Sequence, residues 1–347
     1  MTPRRWRAAG VAVVVLAAIA LAVPWPSSLV ETYYAAGVYP VWQRFATPVT
    51  NRLPFALFDA IIGGGIAAIG VTLVRGWRRA TGSRLRRAGA VAGRLTVSAA
   101  VLYLWFLASW GLNYQRRPLA DRLGLDRSRA TRAAASRLAE ETISELNRLH
   151  PLAHAQPWPD REGLRPVLEA PFASALGGVG ARDVVPGRAK ASLLQPYFRW
   201  AGIDGVTDPF APEVIVSTDL LPMEWPFTLA HEWGHLAGLA HEAEASYLGW
   251  TTCLRGTDQS RYSARLWVLG HVLSVLPRDE QIAHITKLDN GPRSDLRAIA
   301  HRVSMSVPAV RQVSWAAYDR YLKTNRVSEG LAAYDAALVL ILAAPPE

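Results

Sequence analysis

The chain has 347 residues, of which half are apolar, and a formal net charge of +10. Its single cysteine excludes an intrachain disulfide and a metal cluster built from cysteines. The charge does not indicate a nucleic-acid partner. Ten arginines lie in two stretches without Asp or Glu, at residues 4–7 and 75–94, and the other 28 basic residues equal the 28 acidic ones in number.

Three apolar runs predict membrane-spanning helices, at 8–23, 55–74 and 95–112. Runs of about 16 to 20 residues can cross a hydrocarbon core of about 30 Å. The first run is the shortest and also fits a cleaved signal peptide, since Ala20-Leu21-Ala22 resembles a small-residue cleavage site. We therefore predict a membrane domain over 1–112 and a second domain over 113–347.

The position of the arginines predicts the orientation in the membrane. Cytoplasmic loops carry the excess of Lys and Arg, so the N-terminus and residues 75–94 are expected in the cytoplasm. Residues 24–54 and 113–347 are then expected outside it, in the periplasm or beyond the cell. Asp59 lies near the outer end of the second run, and we interpret it as an interfacial acid rather than a functional one.

The second domain is predicted to be mostly helical. A strand is predicted at 213–218, EVIVST, from its β-branched residues. A helix is expected to open at Pro226 and run through the histidines, because proline suits a first helical turn. Residues 151–189 are rich in Pro, Gly and Ala and are predicted to form a loop with short turns. Other helices are expected at 127–149, 190–201 (interrupted near Pro196), 260–276, 295–304, 309–323 and 328–343.

The stretch His231-Glu232-Trp233-Gly234-His235 carries the strongest chemical signal. On a helix, residues four apart share a face, so the two imidazoles can bind one Zn²⁺ at about 2.0–2.1 Å each. Glu232 lies beside that face, where its carboxylate can reach a zinc-activated water without binding the metal. This is the metalloprotease arrangement, with Glu232 as general base.

Three residues compete for the third ligand position. His241 fits the metzincin spacing after Gly238, but Met305, the only downstream methionine, does not suit the Met-turn of that group. Glu242 fits the gluzincin pattern, with Ser246 as the hydrogen-bond partner of a ligand histidine. Glu244 lies about 200° from Glu242 around a regular helix, so both acids cannot face the metal. We favour Glu242, then His241, then Glu244.

The remaining candidates are interpreted as ordinary structural residues. The other histidines are scattered and lack metal-binding spacing along the chain: His150, His154, His271, His284 and His301. A tyrosine among Tyr318, Tyr321 and Tyr334 could donate to the oxyanion of a tetrahedral intermediate, but packing is the favoured role. Trp233 and Phe227 are expected in the core.

Beyond these motifs, the chain resembles a bacterial family of membrane-anchored zinc metallopeptidases that is known mainly as a domain of unknown function. The resemblance covers nearly the whole chain, with its three N-terminal spans. It rests on Trp110-Gly111-Leu112-Asn113-Tyr114, Arg116 or Arg117, Pro118, Gly205, Asp208-Pro209-Phe210, Glu213, Pro226-Phe227-Thr228, His231-Glu232-x-x-His235-x-x-Gly238, Glu242-x-Glu244-Ala245, Val327-Ser328-x-Gly330 and Tyr334.

The resemblance implies that the acidic pair matters and that position 241 varies, which favours Glu242 over His241. The chain departs from the family at Ser246, where Asn is usual, and at Tyr247, where Phe is usual. The change at Ser246 bears on the hydrogen bond that supports a ligand histidine, and not on the metal site itself.

Together these observations predict a mainly α protein. Three N-terminal membrane helices precede a mostly helical, zincin-like extracytoplasmic domain with a small β element. The expected function is hydrolysis of peptide bonds in envelope proteins or peptides, with Zn²⁺ held by His231, His235 and Glu242. The expected partners are that substrate and the lipid bilayer, with no nucleic acid.

Three other functions are alternatives to this one. The first is a zinc hydrolase of another amide, such as a cell-wall peptide. The second is an inactive membrane scaffold that keeps the fold. The third, an intramembrane protease, is disfavoured because the histidine helix is not an apolar run of spanning length, and Glu224, Glu232, Glu242 and Glu244 crowd it.

Overall fold

A computed structural model describes residues 3–79, 81–327 and 336–344. The fold is mainly helical, with 73% of residues in helices and one small sheet of three strands. The N-terminal helices are Pro3–Ala22, Leu57–Arg79 and Arg84–Ser109. Between the first two, Ser27–Arg52 forms a continuous helical segment whose residues Val30–Val38 have π-helical hydrogen bonding.

Two helices are long and apolar enough to cross a membrane, Leu57–Arg78 and Arg84–Ser109. A third span is possible only if Ala8–Ala22 and Ser27–Arg52 count as one, although a bend of 107° separates them. The structure therefore supports membrane association. The predicted runs at 55–74 and 95–112 fall on the two helices, whereas the first predicted span depends on the bent pair. The orientation stays a prediction.

The rest of the described chain is largely helical, as expected. Its helices of seven or more residues are Arg132–Ala153, Arg161–Gly178, Gln195–Ala201, Trp225–Leu236, Glu242–Leu254, Asp258–Ser274, Arg278–Ile285, Asn290–Ser304, Pro308–Thr324 and Ala336–Ala343. Shorter helical turns occur at Gly111–Gln115, Leu119–Arg122 and Arg127–Arg129. Residues 328–335, which include part of the last predicted helix and Tyr334, lie outside the described residues.

The prediction of a loop over 151–189 was wrong, because Arg161–Gly178 is a helix. Asp160 caps it by accepting a hydrogen bond from the Gly163 N–H at 2.8 Å. Pro166 and Pro171 each cost roughly 3 kcal/mol inside a helix. Burial of one apolar face offsets this cost at about 1.5–3 kcal/mol for each large side chain; that face consists of Leu164, Leu168, Phe172, Ala175 and Leu176.

The sheet consists of Ala189–Lys190, Gly205–Thr207 and Val214–Val216, with the last strand in the middle. It pairs in parallel with Ala189–Lys190, through Ala189↔Val214, and antiparallel with Gly205–Thr207, through Thr207↔Val214. All three residues of the middle strand are buried, which confirms the strand predicted at 213–218. Gly205–Thr207 is an edge strand.

The helix Trp225–Leu236, called the motif helix below, lies in the centre of the core. Trp233 is fully buried, packs against Phe172, and donates its indole N–H to the Gly187 carbonyl at 2.8 Å. Phe227 stacks on Trp267 with 4.1 Å between ring centroids. These contacts confirm both residues as core, and they fix the rotation of the motif helix.

Contacts cross the boundary that the sequence predicts at residue 112. The ammonium group of buried Lys190 donates to Glu213 at 2.7 Å and to the Thr50 carbonyl at 2.7 Å, and Glu213 also accepts from the Phe58 N–H at 2.7 Å. Asp59 accepts hydrogen bonds from Ser192 and from the Leu193 N–H. Asp59, predicted as an interfacial acid, thus connects the start of the candidate membrane helix Leu57–Arg79 to the polypeptide beside the sheet.

Candidate metal centre

The motif helix and the helix that follows it bring the candidate ligands together. Pro226 lies in the first turn, as predicted, and His231 and His235 follow one turn apart, with 4.8 Å between ring centroids. Gly238 turns the chain at a φ of +79°, a conformation that favours glycine. The next helix, Glu242–Leu254, called the acidic helix below, begins at once and carries Glu242 back to the two imidazoles.

His231, His235 and Glu242 converge on one point. Their ligand atoms all lie within 4.8 Å of one another. Glu242 Oε2 is 3.2 Å from His231 Nε2 and 3.5 Å from His235 Nε2. Zinc bonds of about 2.0–2.2 Å in a tetrahedral site require ligands roughly 3.3 Å apart. The donor set of two imidazoles and one carboxylate, at this spacing, fits a zinc ion.

Each imidazole is oriented by a hydrogen bond at its other nitrogen. His235 Nδ1 is 2.8 Å from the Leu239 carbonyl, so Nδ1 carries the proton there and Nε2 is left to bind a metal. His231 Nδ1 is 3.1 Å from Ser246 Oγ. Ser246 thus occupies the position that the sequence predicts for the supporting partner.

Glu242 lies in a buried site and is held as an anion. Burial alone would raise its pKa, but His235 and His231 outweigh burial and hold the pKa of Glu242 well below its ordinary value. Tyr318, from the helix Pro308–Thr324, donates its hydroxyl to Glu242 Oε1. The carboxylate therefore presents one oxygen to the histidines and the other to a tyrosine.

The two other candidates for the third ligand do not join the group. His241 is the residue before the acidic helix, and its ring packs edge-on against Tyr114 at 5.9 Å. Glu244 accepts a hydrogen bond from the Leu119 N–H at 2.6 Å and lies 3.8 Å from the Arg122 guanidinium. The acids point apart, as their angular separation around the helix requires.

Glu232 lies beside the three converging residues, with a side chain that is almost completely buried. Its Oε2 accepts a hydrogen bond from the Thr207 hydroxyl at 2.8 Å. Burial raises the pKa of Glu232, while His231, His235 and the Thr207 hydrogen bond oppose that rise. A carboxylate with a raised pKa accepts a proton more readily near neutral pH.

The edge strand leaves a space for this carboxylate. A Cβ atom at Gly205 would lie only 2.4 Å from Glu232 Oε1, so no residue with a side chain fits there without moving Glu232. Sequence reasoning identified Gly205 only through the family resemblance, and it missed Thr207. The position of an edge strand against a helix depends on tertiary packing. The sequence around Gly205 and Thr207 therefore does not show that they contact Glu232.

A cleft of about 710 Å³ opens onto the site. His231, Glu232, His235 and Glu242 line it, and aromatic side chains from several elements form much of its wall: Phe58, Phe106, Trp110, Tyr114, Tyr197, Phe210, Phe227, Trp267, Trp315, Tyr318 and Tyr321. Phe58 belongs to the start of one candidate membrane helix and Phe106 to the end of the other. The cleft therefore lies beside the ends of both helices.

The segment after the second candidate span supports the end of the motif helix. The Trp110 indole donates to the His235 carbonyl at 3.1 Å, and Tyr39 donates its hydroxyl to the Leu236 carbonyl at 2.9 Å. Arg116 donates to the Gly238 carbonyl at 3.0 Å and pairs with Glu31 at 2.7 Å. Trp110 and Arg116 belong to the family resemblance, whereas Tyr39 and Glu31 carried no recognisable signal.

A second group of side chains comes together in a way that the sequence did not predict. His150 and His154 were interpreted as ordinary, yet they meet Asp295 in a cluster whose ligand atoms also lie within 4.8 Å of one another. The two histidines are one helical turn apart, a spacing that the sequence does contain. Asp295 comes from a distant helix and could not be assigned to them before the fold was known.

One family is similar to this chain over most of its length. The family described as "Protein of unknown function (DUF3810)" matches residues 34–342, a range that contains both candidate membrane helices and all four residues of the candidate site. No curated protein and no solved structure matches the chain.

Proposed function

This chain belongs to the DUF3810 family of unknown function, and from that premise and the geometry of the site we propose that it is a membrane-anchored zinc metallopeptidase. The observation that supports this most is one juxtaposition. A buried carboxylate, Glu232, adjoins two histidines and a second carboxylate whose ligand atoms are spaced for one metal ion. Hydrolysis of an amide by a metal-dependent peptidase needs this combination of a Lewis acid site and a base that does not bind the metal.

In this proposal His231, His235 and Glu242 hold the zinc ion. When bound, zinc polarises a carbonyl and makes water acidic enough to attack it at neutral pH. Ser246 and the Leu239 carbonyl fix the orientation of the two imidazoles, and Tyr318 fixes the carboxylate. These contacts organise the ligand atoms before a metal binds, which reduces the conformational cost of binding.

Glu232 is the general base. Its carboxylate takes a proton from the attacking water and later delivers that proton to the leaving amine. The Thr207 hydroxyl holds one carboxylate oxygen in place, and the absence of a side chain at Gly205 leaves room for the other. The edge strand Gly205–Thr207 therefore positions the base.

The cleft suggests the kind of substrate. Its aromatic wall suits a peptide with apolar side chains, and its position beside Phe58 and Phe106 suits a segment that approaches close to the membrane surface. Following the distribution of arginines, we assign the site to the outer side of the membrane. The proposed substrates are therefore envelope proteins or peptides near the bilayer.

The variant Glu232→Gln tests the proposal. It removes the base but keeps a side chain of the same shape, so zinc content should remain at the wild-type level while hydrolysis falls by at least about a hundredfold. Zinc can be measured by elemental analysis of the purified chain, and hydrolysis by comparing the envelope fragments released from cells that express each form.

Glu162→Gln provides a matched control, because Glu162 is an exposed carboxylate away from the cleft. It should change neither zinc content nor the released fragments. Equal release of fragments by wild type and Glu232→Gln would exclude the proposed mechanism. Wild-type protein that binds no zinc would exclude the proposed cofactor.

A further inference from the structure

The cluster of His150, His154 and Asp295 lies outside the cleft and is not used by the proposed reaction. His150 is in the last turn of the helix Arg132–Ala153, and His154 immediately follows that helix. Asp295 comes from the helix Asn290–Ser304. The cluster therefore joins two helices that are far apart in the sequence.

The distances in this cluster suit ligands of a shared ion. Asp295 Oδ2 is 2.9 Å from His154 Nε2 and 3.7 Å from His150 Nε2. The first distance is that of a hydrogen bond, whereas the second is too long for one, and both lie near the roughly 3–3.5 Å that separates neighbouring ligands of a zinc ion. The two imidazole rings lie 4.4 Å apart, so both Nε2 atoms approach the same carboxylate oxygen.

Neighbouring residues orient the Asp295 carboxylate and leave space for the His150 ring. Tyr262, which is completely buried, donates its hydroxyl to Asp295 Oδ2 at 2.6 Å. Carboxylates that bind metals are commonly oriented by such a hydrogen bond. A Cβ atom at Gly291 would lie 2.4 Å from the His150 ring, so glycine at this position allows the imidazole to approach the helix of Asp295.

We propose that His150, His154 and Asp295 form a second metal site that takes a divalent transition-metal ion such as Zn²⁺. The side chains of His150 and His154 are 27% and 33% exposed, so water can complete the coordination of the ion. Two imidazoles and a carboxylate are ligands that zinc accepts, whereas calcium and magnesium prefer oxygen alone.

This second site binds a metal ion but does not catalyse hydrolysis. Pro151 follows His150 where Glu232 follows His231, so the position of the base is taken by a residue that cannot exchange a proton. The ion instead links the helix Asn290–Ser304 to the helix Arg132–Ala153 through its ligands. The helix Asn290–Ser304 also carries Arg302, which pairs with Glu224 at the start of the motif helix and with Asp204 in the cleft wall. Binding of an ion at the second site therefore stabilises the helices around the cleft.

Zinc titration of the full-length protein in detergent tests the proposal, with an affinity tag that contains no histidine and a chromophoric chelator as competitor. Wild type should bind two equivalents. The variant His231→Ala/His235→Ala should bind one, and adding His150→Ala and His154→Ala should abolish binding. When Asp295→Asn is added to His231→Ala/His235→Ala, zinc binding should weaken at least tenfold, because the amide keeps an acceptor for Tyr262 but loses the charge.

His301→Ala is the matched control, since His301 is an exposed histidine on the same helix as Asp295, and it should leave the count of bound zinc unchanged. The proposal is overturned if wild type binds fewer than two equivalents and the His150→Ala/His154→Ala variant loses none of them. It is also overturned if a folded His231→Ala/His235→Ala protein binds no zinc. Neither result depends on hydrolytic activity, so the metallopeptidase proposal can fail while this one stands.

Discussion

The Thr207 hydroxyl lies 2.8 Å from Glu232 Oε2 and 3.0 Å from the Glu232 carbonyl oxygen. One side chain of the edge strand thus contacts both the backbone and the carboxylate of the same residue. The carboxylate end of Glu232 is then restrained relative to His231 and His235 by the sheet as well as by its own helix. The orientation of the base is a property of the strand–helix contact.

The substitution Thr207→Val should lower kcat about tenfold and leave KM and zinc content nearly unchanged. Valine keeps the shape of threonine but removes a hydrogen bond to a charged group, which contributes about 1.5–3 kcal/mol. The measurement is the initial rate on a substrate identified through the Glu232→Gln comparison. Thr207→Ser should restore most of the rate, and Thr286→Val, at an exposed helix end, should have no effect. A rate unchanged in Thr207→Val would show that the strand does not position the base.

Removal of the Ser246 hydroxyl should weaken metal binding without abolishing it. The hydroxyl is 3.1 Å from His231 Nδ1, and loss of such a partner of a metal-binding histidine typically lowers affinity 10–100-fold. Competition with a chelator measures the change in Ser246→Ala, with Ser304→Ala, at an exposed serine, as the control. Ser246→Asn, which introduces the residue that the family resemblance leads us to expect here, should bind at least as well as wild type. Equal affinity for all four proteins would remove Ser246 from the site.

The sequence predicted those parts of the site that depend on local spacing. The motif helix places His231 and His235 on one face by its own periodicity, and Pro226 marks its start. The angle between Glu242 and Glu244 on a regular helix excluded that both face the metal, and the gluzincin pattern favoured Glu242. Thr207 was missed because no local pattern shows which helix faces an edge strand.

The helix Arg161–Gly178 and the cluster at Asp295 escaped prediction for related physical reasons. Pro166 and Pro171 favour a loop on local propensity, and only burial against the core offsets that preference. Asp295 meets His150 through packing of helices far apart in the sequence. The helix does place its apolar residues at helical spacing, so the sequence contained a signal that the prolines outweighed, whereas the cluster at Asp295 depends on a tertiary contact with no local pattern.

The substitution Tyr318→Phe distinguishes two roles for this tyrosine. Its hydroxyl donates to Glu242 Oε1, so a role in fixing the ligand predicts weaker zinc binding, by roughly tenfold. A role in stabilising the oxyanion predicts a loss in kcat at full zinc occupancy, of roughly a hundredfold. Measuring zinc affinity and kcat on the same variant separates the two, and we expect the affinity to change. Tyr197→Phe is the control, because Tyr197 also lines the cleft but bonds to Ser314. If affinity and kcat both stay at wild-type values, Tyr318 has neither role.

Asp208 should make the stability of the fold fall as pH rises. The residue is completely buried, and its Oδ1 accepts the Phe210 N–H at 2.8 Å, while Oδ2 has no hydrogen-bond partner within the described part of the chain. Burial raises the pKa of Asp208 to about 7, and the nearby Glu213 carboxylate also acts to raise it. In an unfolded chain the pKa is about 3.9. Between these values the folded protein holds a proton that the unfolded chain has lost, so the free energy of unfolding decreases with rising pH, by at most about 4 kcal/mol.

The variant Asp208→Asn should remove this dependence, because the amide keeps the acceptor for Phe210 and carries no charge at any pH. Thermal unfolding in detergent should give similar midpoints for variant and wild type near pH 4, with the variant progressively more stable between pH 4 and about 7 and the difference constant at higher pH. Asp183→Asn, at a side chain that is 77% exposed, controls for loss of a surface charge. If the difference between Asp208→Asn and wild type is the same at pH 5 and pH 8, Asp208 does not hold its proton in the folded state.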